Sequence, residues 1–176
     1  KQFGRGTDGV AAIEFALLVL PVTYMLIGLV ELSLVFTATS MLEYGTSQVA
    51  REVRTGEFQE MSSASDAENR FESIVCDSIE HIMDCSKLQY EAVPASDFSG
   101  AEGMDIQFDA DNNFVSRGFS LDGPDNVMLV RTVYRYRLNT PFFARVFSNG
   151  PDGETRLLVS SAVIQVEPFK FENSTS

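Results

Sequence analysis

The stretch "GVAAIEFALLVLPVTYMLIG", residues 9–28, decides the fold of this chain, because it is a long apolar run with a single charge in it. The run continues to about residue 38. Residues 15–38 alone would form about 24 residues of helix, roughly 36 Å, which is enough to cross a bilayer with some tilt. Pro21 lies inside it and should kink the helix, which membrane helices tolerate. A buried core helix would need a larger apolar core than the rest of the chain offers, so we predict a membrane-spanning helix.

The apolar run continues without a break into "MLEYGTSQVAREVRTGEF", residues 41–58. Its apolar or small residues recur every three to four positions, with charged residues elsewhere, which indicates an amphipathic helix. A cleaved secretory signal would have a shorter apolar core followed by small residues, so this pattern disfavours one. We therefore predict one long helix over residues 10–58, preceded by a leader at 1–9.

Residues 59–176 are expected to form an exported α+β domain. Ser65 or Asp66 is the predicted N-cap of a helix that ends near Cys85, where the period of the apolar residues changes to two. That period predicts an antiparallel sheet of about four strands, covered on one face by the amphipathic half of the long helix. The candidate strands are residues 87–93, 104–109, 127–138 and 156–169.

Composition and motifs exclude several function classes. The 176 residues carry a formal charge of −12, which disfavours nucleic-acid binding because that requires clustered Lys and Arg. There is one histidine, His81, and no nucleophile–base set or phosphate-binding glycine loop, so we expect neither catalysis nor a cofactor. The calcium-like run at 109–120 lacks the glycine and the final glutamate of that motif, so no metal site is expected.

Cys76 and Cys85 are the only cysteines of the chain. With His81 between them they offer three ligands at most, one fewer than a structural zinc site uses. In an oxidising compartment the same pair predicts a disulfide that closes a short loop.

Glu14 is the charge within the opening stretch. A carboxylate at depth in lipid costs a few kcal/mol unless it is paired, which makes it a candidate functional residue. The alternative is that it lies near enough to the headgroups to extend into them.

The segment "GVAAIEF" resembles a type IV prepilin processing site. That resemblance implies cleavage by a prepilin peptidase between Gly9 and Val10, which makes Glu14 the fifth residue of the mature chain. It also implies that Glu14 pairs with the new N-terminal ammonium, of its own or of a neighbouring subunit. Such a pair offsets the cost of burial only in the correct register, and so would act as a check on assembly.

The longer segment "RGTDGVAAIEFALLVLPVTYMLIGLVE" is similar to the opening of TadE-like proteins, minor pseudopilins of the tight-adherence (type IVc) pilus system. Pro21, Gly28 and Glu31 occupy the proline and Gly-x-x-Glu positions of that pattern. The resemblance extends to "LVRTVYRYRLNTPFFARVF", to "LLVSSAVIQVEPF" and to the cysteine-containing "VCDSIEHIMDC".

The resemblance implies a non-enzymatic subunit that takes part in assembling the pilus by priming, tip placement or anchoring. Its partners would be other pilin and pseudopilin subunits, the assembly platform, the prepilin peptidase and membrane lipid. It would cross the inner membrane once with its C-terminal domain in the periplasm, and could enter a surface pilus. The alternative is an unprocessed, membrane-anchored periplasmic binding or sensor domain.

Three arginines alternate along the strand candidate at 127–138. Arg131, Arg135 and Arg137 share one face, opposite to the apolar face of the same strand. This stripe has two interpretations, a solvated sheet face with cross-strand partners such as Glu167, or a docking face for an acidic partner subunit.

Overall fold

The computed structural model describes residues 8–58, 61, 63–110, 113–120, 127–150 and 152–166. Four α-helices, one short 3₁₀ turn and three strands follow one another along this part of the chain. In chain order they are α1 Asp8–Arg54, α2 Ala64–Ile79, the 3₁₀ turn Cys85–Lys87, β1 Gln89–Ala95, α3 Phe98–Glu102, β2 Val127–Arg137, α4 Pro141–Phe147 and β3 Thr155–Gln165. The architecture is α+β, with one helix far longer than any other element.

The first half of α1, residues 9–31, is bare in the sense that every residue except Gly28 and Glu31 is exposed. It is long and apolar enough to cross a membrane, and no residue of its most apolar window is buried inside the protein. Large apolar side chains are exposed along its whole length, from Val10 to Phe36. Pro21 lies within it, and the helix continues on both sides of the proline. An apolar surface of this size needs a cover other than water, as a lipid-facing helix would have.

The second half of α1 packs on the α+β domain that follows it, as its amphipathic pattern predicts. Leu42, Val49 and Val53 are buried in the main core, and α1 covers one face of the sheet. The hydroxyls of Thr46 and Thr132 lie 2.6 Å apart, which joins α1 to the middle of β2 inside that core. Gly45 is buried against α2, where an added Cβ would lie 3.2 Å from the backbone of Val75, so its small size permits the close approach of the two helices.

Helix α2 begins slightly earlier than its sequence pattern predicts. Ser63, rather than Ser65 or Asp66, is the N-cap, and its side chain accepts a hydrogen bond from the Asp66 backbone N–H. The Asp66 carboxylate accepts in turn from the Ser63 hydroxyl at 2.8 Å. An acidic side chain three residues after the serine completes this exchange, which explains why the helix starts at this serine. The apolar stripe from Phe71 to Ile79 faces the core as expected.

Within the described residues the sheet has three strands rather than four. Its order is β1-β2-β3, and both neighbouring pairs are antiparallel. The candidate strand at 104–109 is wrong, because that segment pairs only through an isolated bridge between Phe108 and Phe114. The edge of β1 meets residues 118–120 instead, through hydrogen bonds of Ala92 with the Gly118 carbonyl and the Ser120 N–H.

Helix α1 and strand β2 run antiparallel over a matching length. Glu31 of α1 contacts the chain just after β2, and Thr46 of α1 contacts Thr132 within β2. Fifteen residues of helix and seven or eight residues of strand each span about 23–26 Å, so both contacts form without bending either element. The C-terminal end of β2 therefore lies beside the apolar half of α1, and its N-terminal end lies far from it.

Candidate functional site

The residues of the predicted processing site lie in the first turns of α1. Gly9, Val10 and Glu14 are all exposed, and nothing lies within 4 Å of the position that a Cβ on Gly9 would occupy. Side chains of a helix point back toward its N-terminus, so Glu14 leans over the turn that begins at Val10. The leader residues 1–7 lie outside the described residues.

A second set of residues forms a junction between α1 and α4 at the C-terminal end of the bare segment. The α1–α4 junction consists of Gly28, Glu31, Asn139, Thr140 and Phe143. The Phe143 ring lies directly on Gly28, and a Cβ on Gly28 would overlap that ring. Gly28 therefore allows an aromatic ring to pack directly on the helix backbone, because only a residue without a side chain leaves the necessary space.

Glu31 accepts two backbone hydrogen bonds at the start of α4. Glu31 is 5% exposed, and its carboxylate accepts from the N–H of Thr140 at 2.9 Å and from the N–H of Asn139. Thr140 makes no side-chain capping bond of its own, and Pro141 has no N–H. A negative charge at this place stabilises the N-terminal end of α4, so a residue of α1 caps a helix that lies more than a hundred positions away.

Tyr136 borders the same junction. Burial raises the pKa of its phenol, and the nearby carboxylate of Glu31 acts in the same direction. The charge of Glu31 is thus held by two N–H groups among apolar and aromatic neighbours, which is how a carboxylate is tolerated at the end of an apolar helix. The sequence pattern singled out Gly28 and Glu31 only as matching positions, and gave no sign that both serve α4.

The arginine stripe does not form one exposed face, and its prediction is wrong for Arg131. Arg131 is 6% exposed and lies 2.7 Å from the carboxylate of Glu91 on the neighbouring strand. Arg137 is exposed and pairs with Glu154 at 3.1 Å, whereas Arg135 is half-buried. The suggested partner Glu167 lies outside the described residues, and docking through Arg135 and Arg137 stays a prediction.

Glu91 is the centre of a buried charge cluster on the face of the sheet opposite to α1. Its side chain is fully buried and pairs with both Arg131 and Arg117. Arg131 also donates to the Met104 carbonyl at 2.7 Å, and Arg117 donates to the carbonyl of Asp105. Guanidinium groups thus satisfy the carbonyls of Met104 and Asp105, which begin the segment predicted as a fourth strand.

Cys76 and Cys85 form the predicted disulfide, with their Cα atoms 5.5 Å apart. The bond ties the last turns of α2 to the 3₁₀ turn that leads into β1. Bonded to each other, the two sulfurs are not available as zinc thiolates. His81 lies beyond the end of α2 and is exposed.

Replacing both cysteines with serine should lower stability by about 2–3 kcal/mol at most, because the loop that the bond closes is short. The measurement is the thermal midpoint of the detergent-solubilised chain, with and without dithiothreitol. The native chain should lose stability on reduction, and the double-serine chain should not respond. An equal response of both chains would mean that the bond does not form in the folded protein.

Comparison with known proteins bears on the long helix. Residues 9–51 match the family model described as TadE-like protein. The N-terminal helix is TadE-like. No curated protein and no solved structure matches the chain.

The match confirms the resemblance inferred from the sequence over residues 9–51. The TadE-like region contains the processing-site residues, Pro21, and the Gly28 and Glu31 halves of the α1–α4 junction. Residues 139–143, which complete that junction, lie outside the matched range. The helix in the matched region therefore contacts a segment from the C-terminal half of the chain.

Proposed function

We propose that this protein is a minor pilin-like subunit that takes part in assembly of a tight-adherence pilus. The observation that carries the proposal is the arrangement of Gly9, Val10 and Glu14 in the first turns of a bare apolar helix, within a region that matches the TadE-like family. After cleavage at Gly9, the new ammonium would belong to Val10 and would precede Glu14 by four residues.

Four residues are about one helical turn, or roughly 6 Å along the axis, so an ammonium at Val10 and the carboxylate of Glu14 would share one face. In a medium of low dielectric, opposite charges at such a distance attract much more strongly than in water. A neighbouring subunit could offer the same ammonium to Glu14. The pair would then favour lateral packing of helices in a single register, as the small residues Ala11 and Ala12 permit.

The proposed location is the inner membrane, crossed once, with the acidic domain in the periplasm. The disulfide supports this orientation, because such bonds persist in oxidising compartments. The proposed partners are other pilin and pseudopilin subunits, the assembly platform, the prepilin peptidase and lipid. The domain would contribute contacts with other subunits. The proposal includes a role for the protein in priming the pilus, at its tip or in anchoring it.

Cleavage by the prepilin peptidase is the test of this proposal. We expect the chain in native membranes to begin at Val10 only when the peptidase is co-expressed, as intact mass spectrometry would show. A Gly9→Phe variant is the matched control, because the bulky side chain should block the cut while leaving the apolar helix intact.

An uncleaved leader in the presence of active peptidase would contradict the proposal. The membrane-anchored binding or sensor domain would then be the better reading. In that case Glu14→Leu should have no effect on assembly of the pilus. If the subunit is processed, the same substitution should prevent it from entering the pilus.

A further inference from the structure

Helix α4 presents an apolar surface beside the bare half of α1. Val146 is 64% exposed, and the rings of Phe143 and Phe147 stack with their centres 5.8 Å apart. Arg145 of the same helix is also exposed. A short helix with exposed apolar and cationic side chains, held against a membrane-type helix, has the composition of an interfacial segment.

The position of α4 along α1 is fixed by the α1–α4 junction. The Phe143 ring lies at the level of Gly28, and the carboxylate of Glu31 binds the two N–H groups that precede α4. From Val10 to Gly28, α1 rises about 27 Å, while the hydrocarbon layer of a bilayer is about 30 Å thick. If the layer starts near Val10, Phe143 lies just within its outer boundary.

An apolar groove joins the two surfaces at this level. It has a volume of about 520 Å³ and is lined by Pro21, Tyr24, Met25 and Phe143. Pro21, Tyr24 and Met25 are exposed on the same apolar surface of α1 that includes Leu20 and Leu29. The groove therefore opens onto the part of α1 that lipid would surround, and it leads from there to α4.

We propose that α4 is embedded in the outer boundary layer of the bilayer, where lipid acyl chains cover Val146 and fill the groove beside Phe143. Arg145 extends to the headgroup phosphates from this position, as a long cationic side chain does at a membrane boundary. The occupant is lipid because the surface of α4 is continuous with the bare apolar surface of α1 and is held at its depth. The exported domain is consequently fixed on the membrane surface at a second point besides the spanning helix.

Tryptophan fluorescence can test this placement, because the chain contains no tryptophan. Val146→Trp is the probe, introduced at an exposed position of the full-length chain in phosphatidylcholine vesicles. Lipids brominated near the carboxyl end of their acyl chains should quench its emission by about twofold, since a boundary helix lies 5–10 Å deep. Lipids brominated near the methyl end should quench it less.

Phe98→Trp is the matched control within the exported domain. Phe98 is 54% exposed and follows β1 at the end that pairs with Val127, so it lies about 30 Å or more along β2 from the α1–α4 junction. It should not be quenched by either lipid. Leu20→Trp reports insertion of α1 and should respond most to bromine near the methyl end.

Several outcomes would overturn the inference. Equal, weak quenching of Val146→Trp and Phe98→Trp would show that α4 lies in water. Blue-shifted but unquenched emission from Val146→Trp would show that protein, such as a second copy, covers α4. Unquenched Leu20→Trp would show that α1 is not inserted, which removes the basis of the proposal. None of these readings requires cleavage of the leader, so the result is independent of the proposed pilus role.

Discussion

Replacing Glu91 with alanine should lower the free energy of unfolding of the α+β domain by about 3–5 kcal/mol, the usual cost of leaving a buried charge without its partner. Glu91 is fully buried between Arg131 at 2.7 Å and Arg117 at 3.0 Å. Arg117 is partly exposed and can turn toward water, whereas the Arg131 side chain is 8% exposed and cannot. The measurement is urea denaturation of the full-length chain in detergent, followed by circular dichroism.

Glu154→Ala is the matched control for Glu91→Ala. It removes the carboxylate of the Arg137–Glu154 pair, whose side chains are 75% and 60% exposed, and should change stability by less than about 1 kcal/mol. Replacing Glu91 and Arg131 together with methionine should cost less than Glu91→Ala, because the buried guanidinium is removed with its partner and the partly exposed Arg117 can turn toward water. Equal losses for Glu91→Ala and Glu154→Ala would contradict a structural role for the buried cluster.

Replacing Glu31 with leucine should release α4 from α1. The substitution removes the acceptor of two N–H groups, with an expected loss on the order of 2–3 kcal/mol for bonds to a charged group. Hydrogen exchange of the Asn139 and Thr140 amides, measured by mass spectrometry, should accelerate by at least about tenfold, since about 1.4 kcal/mol corresponds to a factor of ten. A charge within an apolar helix disfavours insertion, so the same change should not impair membrane association.

Glu43→Leu is the control for Glu31→Leu, because Glu43 is an exposed glutamate on the same helix and should leave amide exchange near Thr140 unchanged. Gly28→Ala should release α4 by a different route, by occupying the space of the Phe143 ring. Adding Phe143→Ala to Gly28→Ala should restore slow exchange in part. Unchanged exchange in both Glu31→Leu and Gly28→Ala would show that the α1–α4 junction does not hold α4.

The sequence by itself determined the long helix and its two halves. The unbroken apolar run and the three-to-four spacing after it are local patterns, and each residue contributes independently of distant partners. The same is true of the helix that begins near residue 64, of the strand at 127–137, and of the cysteine pair. The TadE-like resemblance of the N-terminal segment rests on the same kind of local pattern, and the family match over residues 9–51 confirms that part of it.

Only the tertiary structure decided which charged residues are buried and paired, and whether the predicted fourth strand forms. Arg131 alternates with apolar residues, so its pattern predicts an exposed stripe, but a carboxylate on β1 and the carbonyl of Met104 make its burial favourable. Guanidinium groups also satisfy backbone carbonyls of the loop at residues 104–105, which the alternation of apolar and polar residues predicted to be a strand.

Glu31 and Gly28, at the end of the apolar helix, also have roles that the tertiary structure shows and the local sequence does not. Nothing local tells that Glu31 will bind the amides of residues 139 and 140, or that Phe143 will lie on Gly28. Hydrophobic periodicity reports whether a residue prefers water or an apolar neighbour. It does not report which distant polar group will compensate a buried charge, because that depends on elements that meet only when β2 has folded antiparallel to α1.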